Sequence, residues 1–573
     1  MSVEEMLNNV SDVSDETEFY TPMPDGYIRG RCKYVAIMGT VMSGLGKGIF
    51  SSSLAKLLQD KGLKIAPIKL EGYLNIDSGT LNPFRHGEVF VLDDGMECDM
   101  DLGTYERMLD QDLSRENFTT SGQIFTRVLE KERHGDYLGR DVQMIPHVTG
   151  EVKLRLRELA VQSQADVIFV EIGGTVGDVE NAYYIEAMRE LAYEEGPNSV
   201  CFVALTQVLE PKTLGEQKSK AAQLGIKRLM EMGVQPHMIA CRAAKPVTDK
   251  VRQKIAQYTN VPLERVFSMH DCESIYVIPR MLRDLGYDFE VIKLLKLEQR
   301  IDLMRERREW LKWCDFVERL ENYKSEVTIG ITGKYTSVRD SYASIIHALE
   351  HSGASLGAAV KIAWIDTTEV NENNVGEKMQ GLNGVIVPGG FGTRGAEGKI
   401  TCIKYARENN LPYLGICFGF QMAVIEFARN VCGITGAHSS EIESNCKDAV
   451  IDILPEQKGI EGLGGSMRLG GRDVEVKRDT KAWEMFGKKE KVRLRFRHRL
   501  EVDPKYIDKL TEHGLVFSGK APGEPIMQIM ELPDHPYFVG TQGHPCMTSR
   551  PLRPQEMFVG LVAAALQLCE KIK

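Results

Sequence analysis

Over the first half of the chain, short apolar runs alternate with longer stretches of helical period. Tyr34-Val-Ala-Ile-Met38, Lys64-Ile-Ala-Pro-Ile68, Val167-Ile-Phe-Val170, Val200-Cys-Phe-Val-Ala204 and His237-Met-Ile-Ala240 read as buried strands, and segments such as 49–59 between them read as helices. That alternation predicts a doubly wound parallel α/β sheet. From about residue 291 to 324 the strand runs stop. Leu294, Leu295, Leu297, Met304, Trp310 and Leu311 recur there at helical spacing among Lys, Arg and Glu, which predicts a helical connector. A second alternating series begins at Val327-Thr-Ile-Gly-Ile331 and continues through 360–365, 384–387 and 412–416. The expected organisation is a first α/β domain at 31–295, a helical linker at 296–325 and a second doubly wound α/β domain at 326–573. No internal repeat of fixed period is visible.

Composition changes this picture at three points. A chain of 573 residues is too long for one small core. With 71 Lys plus Arg against 81 Asp plus Glu, a net charge of -10 argues against a general nucleic-acid-binding surface. Residues 1–30 hold seven acids (Glu4, Glu5, Asp12, Asp15, Glu16, Glu18, Asp25) against Arg29, which predicts a flexible acidic tail dispensable for catalysis. No run approaches the ~18 apolar residues of a membrane helix, and residues 1–30 lack the basic-then-apolar order of a signal peptide. A soluble, cytoplasmic protein is expected. The 12 cysteines are never closer than 14 residues apart, so neither zinc spacing nor a disulfide framework is visible.

Candidate chemistry lies in both halves. Gly39-Thr-Val-Met-Ser-Gly-Leu-Gly-Lys47-Gly48 follows a strand and opens a helix, so backbone N–H groups and the helix dipole would face an anion while Lys47 reaches terminal phosphates. The loop departs from the Walker pattern, with six residues between Gly39 and Gly46 and with Gly48 where a magnesium-binding Ser or Thr would stand. Magnesium must then be held by carboxylates, and Asp101 and Glu171 are the candidates. Glu171 ends a strand, where ligands of open α/β sheets bind. The competing bland reading makes the glycines a structural turn and Asp93, Asp94, Asp99 and Asp101 a solvated acidic loop.

In the second half, Leu411-Pro-Tyr-Leu-Gly-Ile-Cys417-Phe-Gly-Phe-Gln421 places Cys417 at a sharp strand-to-helix turn beside a helix N-terminus, which favours a nucleophilic thiolate. Pro388-Gly-Gly-Phe-Gly392 would bring the Gly390 amide to the substrate carbonyl, with the Phe418 amide completing an oxyanion hole. A lone Cys after a strand is otherwise an ordinary core thiol.

Ser43-Gly-Leu-Gly-Lys-Gly48, Tyr73-Leu-Asn-Ile-Asp-Ser-Gly-Thr80, His86-Gly-Glu-Val-Phe-Val-Leu-Asp-Asp-Gly95, Asp101-Leu-Gly-Thr-Tyr-Glu-Arg107 and Val170-Glu-Ile-Gly-Gly-Thr-Val-Gly-Asp178 resemble the synthetase domain of the CTP synthase family. The Cys417 and Gly390 segments with His544-Pro545 resemble its class I glutamine amidotransferase domain. Together the resemblance covers nearly everything from residue 33 onward. It implies that ATP phosphorylates O4 of UTP and that ammonia from glutamine then displaces the phosphate, with Mg2+ as cofactor.

By the same resemblance, Lys47 and Lys69 would neutralise the transferred phosphoryl group. ATP would lie on Ser43, Gly44, Leu45, Gly46, Lys47, Gly48, Ile49, Asp101 and Arg242, with Asp101 and Glu171 holding the metal. UTP, or CTP as inhibitor, would contact Ser43, Asp178, Val179, Glu180, Lys218, Ser219, Lys220, Ala221, Ala222, Gln223 and Lys254. Cys417 and His544 would hydrolyse glutamine held by Gly390, Phe418, Gln421, Glu441 and Arg499, and Arg394 with Glu397 would respond to GTP as allosteric activator. The family further implies a homotetramer and filaments, and no nucleic-acid or membrane partner.

The chain departs from that family at several positions. Lys218-Ser-Lys-Ala-Ala-Gln223 replaces Lys-Thr-Lys-Pro-Thr-Gln, Leu224 replaces a His, and Glu71-Gly72 replaces Asp-Pro. His544-Pro545-Cys546 replaces His-Pro-Glu, which removes the carboxylate that orients the histidine. Ammonia is therefore expected to serve better than glutamine. The alternative readings are a catalytically weakened, oligomer-forming regulatory paralogue and an enzyme that uses ammonia only.

Overall fold

The computed structural model describes residues 20–211, 215–334, 339–443, 445–453 and 468–572. The chain divides into two compact units, 1–78 with 104–314, and 79–103 with 315–573. Its strands are β1 (Lys33–Gly39), β2 (Ile65–Glu71), β3 (Val89–Val91), β4 (Glu97–Asp99), β5 (Phe118–Thr120), β6 (Val167–Ile172), β7 (Val200–Gln207), β8 (Met238–Ala243), β9 (Val266–His270), β10 (Ser325–Gly333), β11 (Ala358–Asp366), β12 (Gly384–Val387), β13 (Tyr413–Ile416), β14 (Ala437–Ser439), β15 (Asp448–Asp452), β16 (Arg468–Val476), β17 (Lys491–His498), β18 (Glu501–Val502), β19 (Val516–Lys520), β20 (Met527–Glu531) and β21 (Phe538–Thr541).

The first unit is built on a sheet of order β5-β2-β6-β1-β7-β8-β9, parallel throughout. Its strands are buried on both faces, which is why they read as continuous apolar runs rather than alternating ones. Helix α1 (Lys47–Asp60) follows β1 directly, so the loop between them opens at the carboxyl edge of the sheet.

The second unit has a sheet of order β11-β10-β12-β13-β21-β20-β19-β16-β17, with a separate β14-β15-β18 sheet. The portion from β11 to β21 is parallel, and the rest continues antiparallel. Both halves are thus α/β, as expected. Helix α2 (Leu303–Glu321) lies within the expected linker, and no helix among the described residues is long and apolar enough to cross a membrane.

Two boundaries differ from the sequence reading. The expected domain at 31–295 is interrupted, because residues 79–103 belong to the second unit. The β3–β4 hairpin is held there by charge: Arg493 grips Asp93 through two bonds of 2.9 and 2.7 Å, Arg497 pairs with Glu97, and Arg495 donates to the Val91 carbonyl at 3.1 Å. Partners some 400 residues apart leave no periodic trace in the sequence.

The tail is the second correction. Residues 20–30 were expected to be flexible, yet the Tyr20 ring packs against Tyr137 and His147 at 5.5 and 5.4 Å between centroids. Thr21 donates to Glu194 at 3.0 Å, the Gly30 N–H donates to Glu195 at 2.9 Å, and buried Arg157 donates to the Pro22 carbonyl at 3.3 Å. Six of the seven acids precede residue 20, so the charge count misjudged a segment that carries Tyr20 and Tyr27; residues 1–19 lie outside the described residues. A chain beginning at residue 31 is expected to unfold at a lower temperature than one beginning at residue 20, having lost about 1–2 kcal/mol for each half-buried tyrosine. Equal midpoints in thermal unfolding would show that these contacts contribute nothing.

Candidate active sites

In the first unit, the phosphate loop turns on Gly44 and Gly46 at φ 73 and 78°. The left-handed Gly46 caps α1, a conformation that costs a residue with a Cβ. Lys47 folds back across Gly39 and donates to the Gly174 carbonyl. The lysine thereby spans from α1 to the turn just beyond β6. Glu171, the penultimate residue of β6, is fully buried and pairs with Lys69 of β2 at 2.5 Å, while Tyr105 donates to its other oxygen at 3.2 Å.

Glu71 lies two residues beyond Lys69 on the same strand, 3.4 Å from its ammonium. Two carboxylates therefore bracket one buried cation. Arg242 of β8 donates to the Gly44 carbonyl at 2.8 Å and to Asp271 at 2.9 Å. Beside it opens a cavity of about 140 Å³ lined by Leu45, Ile49, Phe50, Met269 and Ile275. Mostly apolar walls that also carry Arg242, His270, Asp271 and Ser274 suit a flat heteroaromatic ring with polar edges better than a phosphate chain.

In the second unit, helix α3 (Ala396–Glu408) precedes β13, and Cys417 stands between β13 and helix α4 (Phe418–Asn430). Its backbone takes φ 51, ψ −102°, the strained elbow that presents a nucleophile. Gly419 allows the turn: a Cβ there would lie 1.9 Å from the Val387 carbonyl. The Cys417 N–H donates to Thr541 at 2.7 Å, and its thiol lies 3.7 Å from the Arg497 carbonyl. Gln542 points its amide at Sγ from 3.6 Å and accepts from Gln421 at 3.3 Å.

His544 reaches the same place from the other side. A Cβ on Gly389 would lie 3.0 Å from His544 Cε1 and 3.7 Å from Cys417 Cβ, so the glycine turn, the imidazole and the cysteine meet. His544 Nε2 is buried with no hydrogen-bond partner among the described residues. Burial, with Arg497 and His498 nearby, pushes this imidazole down to about 3. Burial pushes the Cys417 thiol up to about 12, against the pull of the Phe418 N–H and Arg497. At rest both are neutral.

Residues 33–297 match the CTP synthase N-terminus family and residues 337–564 the class-I glutamine amidotransferase family. The CTP synthase of Thermococcus gammatolerans is 48% identical over 93% of this chain and 98% of its own length. Those of Methanopyrus kandleri (46%, over 93% and 99%) and Caldanaerobacter subterraneus (46%, over 94% and 98%) are similar to the same extent.

The chain belongs to the CTP synthase family. It is a glutamine-dependent ligase with CTP synthase function, and relatives matched over their whole length do not favour the weakened-paralogue reading.

Among the residues expected for a CTP synthase, Lys47, Lys69, Glu171 and Arg242 gather at one end of the first sheet. The loop residues Ser43 to Ile49 accompany them. Asp101 does not join them within that unit: it lies in the 79–103 segment, where its N–H donates to Asp99 at 3.0 Å. A second carboxylate that flanks Lys69 with Glu171 is Glu71, which sequence reading noted only as a departure; its place two residues after Lys69 on one strand face was the available signal.

The expected pyrimidine residues are spread more widely. Asp178 accepts from the Thr175 N–H at 2.7 Å, Glu180 backs Gly72, and Val179 is exposed. Lys218 pairs with Glu216, and Gln223 donates to Ser219 at 3.0 Å. Lys220, Ala221 and Ala222 open the helix Lys220–Glu231, while Lys254 is exposed. None of them lines the cavity beside Arg242.

In the glutaminase unit, Gly390, Phe418 and Gln421 surround Cys417. Glu441 accepts from the Gly392 N–H at 2.9 Å, and Arg499 is partly buried between β17 and β18. Arg394 is exposed, and Glu397 is engaged by Arg429 at 2.9 Å. Cys546 is buried, yet no group accepts from His544 Nε2. Sequence reading missed Gln542, although it stands two residues before His544.

Proposed function

We propose that the Lys47, Lys69, Glu71 and Glu171 cluster transfers the γ-phosphoryl group of ATP to O4 of UTP, and that Cys417 releases the ammonia that displaces it. The bracketing of Lys69 by two carboxylates carries this reading. Hard oxygens at a strand end fit magnesium, and Glu71 with Glu171 would hold it, where it would neutralise charge on the phosphates. Lys47 and Lys69 take up the remaining charge on the phosphoryl group, and catalysis here is positioning and electrostatics rather than covalent chemistry. The apolar cavity under Arg242 receives the adenine. Lys218, Lys220 and Gln223 bind the pyrimidine nucleotide, at a site that a neighbouring subunit of a tetramer completes. Arg394 and Glu397 belong to a GTP-responsive loop, CTP inhibits by occupying the UTP site, and the tetramers assemble into filaments.

At Cys417 the thiol passes its proton to His544 as the sulfur adds to the glutamine side-chain carbonyl, the Gly390 and Phe418 amides hold the oxyanion, and His544 gives that proton to the leaving ammonia. A glutamyl thioester remains and water hydrolyses it.

The test is CTP formation from UTP and ATP with magnesium, run once with glutamine and once with ammonium salt. Both donors should yield CTP, with ammonium the better. No CTP from ammonium would refute the assignment of the first site.

A further inference from the structure

Helix α3 buries Lys399 among Ile400, Cys402 and Ile403, on a face its period reserves for apolar side chains. The amine is enclosed, and among the described residues it makes no ion pair. It donates a hydrogen bond to the Pro388 carbonyl at 3.3 Å. The same amine lies 5.0 Å from the centroid of the Phe418 ring, and a Cβ on Gly390 would stand 3.5 Å from it. Burial, and secondarily Lys334, push this lysine down to about 7.

A buried amine without a carboxylate is expensive, and a methionine would fill the same space at less cost. What lysine adds is a donor. Its acceptor begins the turn Pro388-Gly-Gly-Phe-Gly392, where two consecutive glycines form the least constrained backbone a chain can have. That turn is tied at its far end by Lys334 to the Phe391 carbonyl and by the Gly392 N–H to Glu441. At its near end Lys399 holds it. Because the peptide is planar, fixing the Pro388 oxygen fixes the whole Pro388–Gly389 peptide, and with Phe391 and Gly392 tied on the far side the Gly389–Gly390 peptide is anchored from both ends, which narrows the directions its N–H can take.

We propose that Lys399 is a positioning residue for glutamine hydrolysis, its amine holding the Pro388 carbonyl so that the Gly389–Gly390 turn keeps its oxyanion donor aimed at the carbon attacked by Cys417. The inference rests on Cys417 as the glutamine nucleophile. An oxyanion donor contributes only if it is already in place when charge develops.

The experiment uses the full chain with Lys399→Met and Lys399→Gln. Three quantities are read: glutamine-driven and ammonium-driven CTP formation, and the rate at which iodoacetamide alkylates Cys417, followed by peptide mass. Alkylation needs the thiolate but no oxyanion hole. In Lys399→Met the glutamine kcat should fall about 10- to 100-fold, with KM for glutamine, alkylation and ammonium-driven synthesis little changed. Lys399→Gln, which keeps a donor, should lose less. Glutamine turnover within twofold of the unmodified chain would overturn the proposal. So would equal losses in both variants, which would make Lys399 a packing residue, or alkylation falling in step with turnover, which would make it act on the Cys417 thiolate rather than on the turn. An unmodified chain that uses ammonium but never glutamine would instead refute the reading of Cys417, and this inference with it.

Discussion

A Lys47→Ala chain is expected to make no measurable CTP from either glutamine or ammonium, with turnover lower by about 10²–10³-fold or more, the range seen when one preorganised electrostatic group is removed from a transition state. Lys47 crosses from the start of α1 to the Gly174 carbonyl. The neighbouring cation, Lys69, projects from β2 beside Glu171 and Glu71, 2.5 and 3.4 Å away, and has its own share of the phosphoryl charge to take up, so it does not substitute for Lys47. Both donors must fail together, because phosphorylation of UTP precedes the use of ammonia. Alkylation of Cys417 should be unaffected. Normal CTP formation in the variant would reduce the phosphate loop to a structural turn.

Replacing Cys546 by glutamate should raise glutamine-driven synthesis by about 10- to 100-fold and leave ammonium-driven synthesis alone. The orphaned Nε2 of His544 is the reason: proton transfer from Cys417 creates an imidazolium in a buried site where no group accepts from that nitrogen. A carboxylate beside Nε2 would stabilise that cation and raise the depressed imidazole pKa. In a serine protease, loss of the corresponding carboxylate costs about 10⁴ in turnover, and a thiol, being more acidic than a hydroxyl, needs less help. Efficient glutamine use by the unmodified chain, with no gain in the variant, would mean that His544 is oriented by other means.

The sequence was informative where chemistry follows chain order. Gly-x-Cys-x-Gly carries its own strand and helix, so the elbow at Cys417 was legible, as was the phosphate loop between β1 and α1. Parallel strands buried on both faces announced the two sheets. What stayed hidden depends on pairs that only the fold assembles. Glu71 became a metal-site candidate once β2 and β6 lay side by side in register, with Lys69 opposite Glu171. Lys399 is not singled out by the sequence, because nothing local reveals that its face is enclosed. The 20–30 segment was misjudged for a related reason: composition averaged its aromatics with the acids that precede it.

The β3–β4 hairpin bears on how the two activities could be parted genetically. A gene split at α2 would give a downstream polypeptide that retains every residue expected to touch glutamine. It would lack Asp93 and Glu97, leaving Arg493 and Arg497 without these partners and uncovering Arg495. Arg497 supplies the carbonyl that lies against the Cys417 thiol, so the loss reaches the nucleophile through its backbone. The upstream polypeptide would in turn carry an unmated strap. Co-expressing the two fragments should complement far better than either acting alone, and a clean split must move residues 79–103 to the downstream fragment, a transplant that no single cut in the reading frame can make.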